Sequence, residues 1–62
     1  MLGYFPEYRG YIGAIEYDYE DGIYYGTIVG IKDSVIFNND NVDKLRISFH
    51  EAVDHYIEIL KQ

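Results

Sequence analysis

Residues 41–62 contain neither glycine nor proline, and their apolar side chains recur at helical spacing. At 100° per residue, Val42, Leu45, Phe49, Ala52, Val53, Tyr56, Ile57 and Leu60 form one continuous stripe. Asp43, Glu51, Asp54 and Glu58 lie opposite it, and Ile47 falls among those acids. Asn41 is a suitable N-cap, because its side chain can accept from a free backbone N–H of the first turn. Asp43 complements the positive end of the helix dipole. The stripe requires an apolar surface to pack on, and the residues before it must supply that surface.

Those residues read as strands. Residues 8–19 are rich in tyrosine and isoleucine and run into Glu20-Asp21-Gly22, a hairpin turn signal. Residues 23–31 form the returning strand. Lys32-Asp33-Ser34 makes a second turn, residues 35–37 a short third strand, and Asn38-Asn39-Asp40 a polar connection. Pro6 precedes the first strand and marks its start. The expected fold is α+β: a three-stranded antiparallel β-meander followed by one C-terminal helix, in a single domain over residues 1–62. One helix covers one face of a sheet. The other face should then be polar, yet neither face of these strands is. Tyr11, Ile15, Tyr17 and Tyr19 share one side of the first strand, with Ile12 and Ala14 on the other. The uncovered face is therefore expected to present an aromatic patch, buried by a second copy or by another protein.

Length strengthens that expectation. A chain of 62 residues buries only about 60% of its unfolded surface. Such chains rely on disulfides, a metal or oligomerisation. Cysteine is absent and histidine occurs twice, which leaves oligomerisation or a partner. The hydrophobic fraction of 48% lies well above that of disordered chains. No apolar run approaches the roughly 20 residues of a membrane helix, and the N-terminus lacks the features of a signal peptide. A soluble, cytoplasmic domain is expected.

The net charge is −6, from 11 acids against 5 bases. Such a field disfavours direct contact with nucleic acid and suits a basic protein. The acids concentrate in GAIEYDYEDGIYYG, residues 13–26, which holds four acids and four tyrosines. Asp18, Glu20 and Asp21 are of the type that ligates hard cations. They are bunched at one turn rather than converging from separate elements, as two-metal chemistry requires. His50 and His55 stand about 140° apart on the helix and cannot share a metal within one chain. They are expected to pair with Asp54 and Glu51 at i,i+4 spacing. No nucleophile, base and orienting group can be assembled. The glycines do not form a phosphate loop. Gly26 and Gly30 instead leave room for a tyrosine ring across the sheet. A tyrosine base-stacking platform would need basic surroundings, and these are acidic.

The pieces YRGYIGAIEYDYEDGIYYGTIVGIKDSVIF and VDKLRISFHEAVDHYIE, in that order, resemble the N-terminal domain of the HicB antitoxin family over about residues 8–58. The matching features are an opening Tyr-Gly strand, an acidic turn with Asp21-Gly22, and a returning strand ending in Gly-Ile. After these come a strand with Phe37 and a helix containing Phe49-His50-Glu51-Ala52-Val53-Asp54 and Tyr56. The resemblance implies a partial RNase H-like fold and an antitoxin of a type II toxin-antitoxin system. It would neutralise HicA, a small basic mRNA-cleaving toxin. The C-terminal DNA-binding domain usual in that family has no counterpart in residues 1–62.

The expected function is thus protein binding without enzymatic activity, cofactor or metal. Glu16, Asp18, Glu20 and Asp21 would steer a small basic toxin, with Tyr24 as an anchor, and the chain would form a homo-oligomer. Tyr11, Tyr17, Phe37, Phe49, Val53 and Tyr56 are assigned to the core. The alternatives are a small metal-dependent RNase H-like nuclease using the same acids, and a stand-alone structural oligomerisation module.

Overall fold

Four strands, not three, precede the helix. The structure is a computed structural model that describes residues 2–62. In chain order the elements are β1 (Gly3–Tyr8), β2 (Tyr11–Asp18), β3 (Ile23–Val29), β4 (Ile36–Asn39) and α1 (Val42–Leu60). The strands form one antiparallel meander in the order β1-β2-β3-β4. What reads as the start of the first strand is a hairpin of its own. Tyr8 closes β1 and pairs with Tyr11 across Arg9-Gly10. Both turn residues have positive φ, 53° at Arg9 and 89° at Gly10, as the tightest hairpin turns require. Arginine rarely adopts that conformation, so Arg-Gly carries little of the turn signal that Asp-Gly carries.

Pro6 lies inside β1 rather than ahead of a strand. Proline cannot donate to a ladder, so strands tolerate it at edges and irregularities. Pro6 has both: β1 is an edge strand, and its register with β2 shifts between Phe5 and Tyr8. The same irregularity interrupts the regular alternation that would mark residues 3–8 as a strand.

The helix begins where the capping signal puts it. Asn41 Oδ1 accepts from the backbone N–H of Asp43 at 2.8 Å and of Lys44 at 3.1 Å. Leu45, Phe49, Val53 and Tyr56 are buried against the sheet. Val42 and Leu60, at the two ends of the expected stripe, are exposed, as is Ile47. Burying a side chain such as Phe49 or Leu45 contributes about 1.5–3 kcal/mol, so the middle of the helix anchors it.

Phe49 is the centre of the core. Its ring stacks on Phe5 at 5.5 Å and meets Phe37 at 5.7 Å. Two glycines make room for these rings. A Cβ at Gly13 would lie 2.8 Å from the Phe49 ring, and one at Gly26 would lie 2.5 Å from the Phe37 ring. The ring at Gly26 is therefore phenylalanine, not the expected tyrosine, and Gly30 has no atom within 4 Å of its would-be Cβ. Of the core assignments, Phe37, Phe49, Val53 and Tyr56 are buried. Tyr11 is half-buried and stands edge-on to Tyr56 at 5.8 Å. Tyr17 is also half-buried and sits beside Tyr19 and Tyr24 instead.

Candidate functional site

Strand alternation sorts the sheet residues into two faces. Phe5, Gly13, Gly26, Ile28 and Phe37 face the helix. The opposite face carries a rung crossing all four strands, Tyr4–Ala14–Thr27–Ile36. Ile12 and Val29 pair on one side of it, and Glu16, Tyr25 and Asn38 align on the other. The helix lies on the far side of the sheet and leaves this face open. Tyr4 is 57% exposed, Ile12 42%, Val29 43% and Ile36 63%. An open depression of about 540 Å³, lined by Tyr4, Phe5, Pro6, Glu7, Ile12 and Val29, runs along one end of this face. The uncovered surface is therefore mostly aliphatic, with Tyr4 and Tyr25 as its aromatic members, rather than the expected aromatic patch.

The five sequence-predicted binding residues do not form one surface. Glu16 and Asp18 alternate onto the open face. Glu20 and Asp21 are exposed in the β2–β3 loop. Tyr24 is half-buried on the helix side, packed against the core and 4.8 Å from the ring of Tyr17. Asp18 also builds its own loop. Its Oδ1 accepts from the N–H of Glu20 at 2.9 Å and of Asp21 at 3.3 Å, while the Gly22 N–H donates to the Asp18 carbonyl at 2.8 Å. This is the local side-chain capping for which aspartate is favoured in turns. Among the described residues no group of three or more His, Asp or Glu is arranged to hold a metal ion.

A polar cluster at the other end of the sheet was not visible in the sequence. The Tyr8 hydroxyl donates to Asp54 Oδ1 at 3.0 Å, and an Arg9 guanidinium nitrogen donates to the same oxygen at 2.8 Å. The His50 ring stacks on Tyr8, with centroids 3.9 Å apart and planes at 15°. Asp54 thus serves the β1–β2 hairpin, where His50 was the expected partner. The Arg9 hydrogen bond, and after it that of Tyr8, holds the Asp54 carboxyl below the usual carboxylate range. The same bond to Asp54 pushes the Tyr8 hydroxyl above its ordinary value. At the opposite side the Tyr56 hydroxyl donates to Asp33 Oδ2 at 3.0 Å, tying the β3–β4 loop to the helix. That bond is the main cause of an upward shift at Tyr56. These contacts span 46, 45 and 23 residues, so no local pattern could signal them. Both tyrosine–aspartate contacts hold elements together.

No helix among the described residues is long and apolar enough to cross a membrane. No protein-family model, curated protein or solved structure matches the chain.

Proposed function

We propose that this chain is an antitoxin-type protein-binding domain that neutralises a small basic, mRNA-cleaving toxin. The observation that carries the reading is the open sheet face. Tyr4, Ile12, Val29 and Ile36 stay exposed on it, beside Glu16 and Asp18, in a chain of net charge −6. Contiguous apolar surface of this kind marks interaction sites, and acids around it favour a basic partner and speed its approach. The motif order shared with the HicB antitoxins supports the toxin as that partner. A partial RNase H-like, HicB-like classification of the meander and helix belongs to the same proposal, as does action in the cytoplasm, where mRNA is found.

In this mechanism Glu16, Glu20 and Asp21 draw the toxin in at long range. The aliphatic face then supplies the desolvated contacts, with Asp18 holding the loop in shape. A second copy covers the same face when the toxin is absent, which sedimentation over a range of concentrations would detect. The function is tested by recovering the tagged chain from its native host. A small basic protein in stoichiometric amount, whose ribonuclease activity falls when the 62-residue chain is added, is the expected result. Recovery of the chain with no such protein would overturn the proposal.

A further inference from the structure

The Tyr17, Tyr19 and Tyr24 rings form a cleft on the helix side of the sheet, with Tyr24 also packed against the core. Tyr17 and Tyr24 are cross-strand partners, with ring centroids 4.8 Å apart and planes at 60°. Tyr19, the first residue of the loop, stands edge-on to Tyr17 at 4.9 Å and 83°. With Leu2 the three rings line an open cleft of about 240 Å³. The rings meet at steep angles, so the cleft has aromatic walls of more than one orientation. Tyr19 is 84% exposed, an unusual position for an aromatic ring that serves packing alone.

The loop that borders the cleft is acidic. Glu16 and Asp18 alternate onto the open face, so the acids next to the cleft are those of the loop. Glu20 and Asp21 follow directly on Tyr19 and are exposed. Tyr17 reaches toward the same loop, since a Cβ at Gly22 would lie 3.7 Å from the Tyr17 hydroxyl oxygen. Aromatic faces attract cations through their quadrupole, and carboxylates beside them add a field of the same preference. A guanidinium suits such a place better than an ammonium, because it is flat, weakly hydrated and stacks on rings.

We propose that the cleft of Tyr17, Tyr19 and Tyr24 seats an arginine side chain of a basic protein partner. The inference rests on the basic-partner reading for the source of that arginine, and it adds a contact point away from the open face. It also gives Tyr24 a role on the helix side of the sheet, where it cannot join the aliphatic surface.

The test uses N-acetyl-arginine methylamide as the probe, with its uncharged isostere N-acetyl-citrulline methylamide as control, added to the 62-residue chain and followed by NMR. Saturable shifts of the Tyr17, Tyr19 and Tyr24 ring protons with the arginine compound are expected, with much weaker shifts from citrulline. Tyr19→Leu, at an exposed position, should weaken binding roughly twofold to fivefold, the size of an exposed cation–π contact. Equal response to citrulline, shifts confined to the loop amides, or undiminished binding by Tyr19→Leu would overturn the proposal. Failure of the toxin reading is distinguishable: no basic protein would be recovered from the host, while the arginine compound would still occupy the cleft.

Discussion

Replacing Gly26 with alanine tests the packing of the sheet directly. The added Cβ would lie 2.5 and 2.6 Å from two atoms of the Phe37 ring and 2.8 Å from the Ala14 carbonyl oxygen. The carbonyl belongs to the neighbouring strand and cannot retreat without loosening the β2–β3 ladder. The ring is only 7% exposed and is held by Phe49. Overpacking of this kind costs about 1–3 kcal/mol. The backbone contact puts the overpacking in the upper part of that range, about 2–3 kcal/mol; alanine returns about 0.4–1 kcal/mol by restricting the unfolded chain, so the net loss is about 1–2.6 kcal/mol. Unfolding entropy near 2.1 cal/mol/K per residue converts this, for 62 residues, to a fall in Tm of about 8–20 °C. Circular dichroism at fixed protein concentration reads that fall, because any self-association makes Tm depend on concentration. In a Phe37→Leu background the same substitution should cost less, with a coupling of about 1 kcal/mol. Gly30→Ala provides the contrast: its φ of 80° makes it costly with no atom within 4 Å, so Phe37→Leu should not relieve it. An unchanged or raised Tm for Gly26→Ala, or equal costs in the two backgrounds, would refute the packing argument.

Asn41→Ala removes the acceptor of two first-turn N–H groups and should cost about 1 kcal/mol, read by urea titration; no change in midpoint would show the cap to be idle. Asp54 has a folded pKa held below its ordinary value by Arg9 and Tyr8. Its contribution is therefore present above the ordinary carboxylate range and lost as pH falls through the lower folded value. Asp54→Asn should accordingly flatten the loss of stability below pH ~4, and an acid limb as steep as in the parent chain would contradict this. Asp18→Ala should speed amide exchange at Glu20 and Asp21, whose N–H groups it caps, whereas Glu20→Gln should leave exchange in the loop unaltered; the same response to both would remove the structural role of Asp18.

The helix was legible because its information is local. Asn41, Asp43 and the stripe through Leu45, Phe49, Val53 and Tyr56 all lie within one segment. The β2–β3 hairpin was legible for the same reason, through Asp21-Gly22, although the capping by Asp18 was not read from the sequence. The β1 strand was not. Its turn depends on Arg9 taking a positive φ, and its run is broken by Pro6 at a register shift, so the two local signals that define a hairpin were both absent. Missing β1 also hid Phe5, which stacks on Phe49 in the core. The candidate binding residues were found as a charge cluster, but their distribution over two faces and a loop follows from strand register, which composition does not carry. The Tyr8–Arg9–Asp54 contacts join the first hairpin to the helix and needed the missing strand to be foreseen.

The most direct measurement of the central claim is methyl cross-saturation NMR on the chain bound to the basic protein recovered with it. Ile12, Val29 and Ile36 lie on the open sheet face, whereas Ile47, Ile59 and Leu60 are exposed on the helix. Saturation of the partner should reduce the methyl signals of the first group and spare the second. Loss of the helix methyls, with Ile12, Val29 and Ile36 unaffected, would contradict the account.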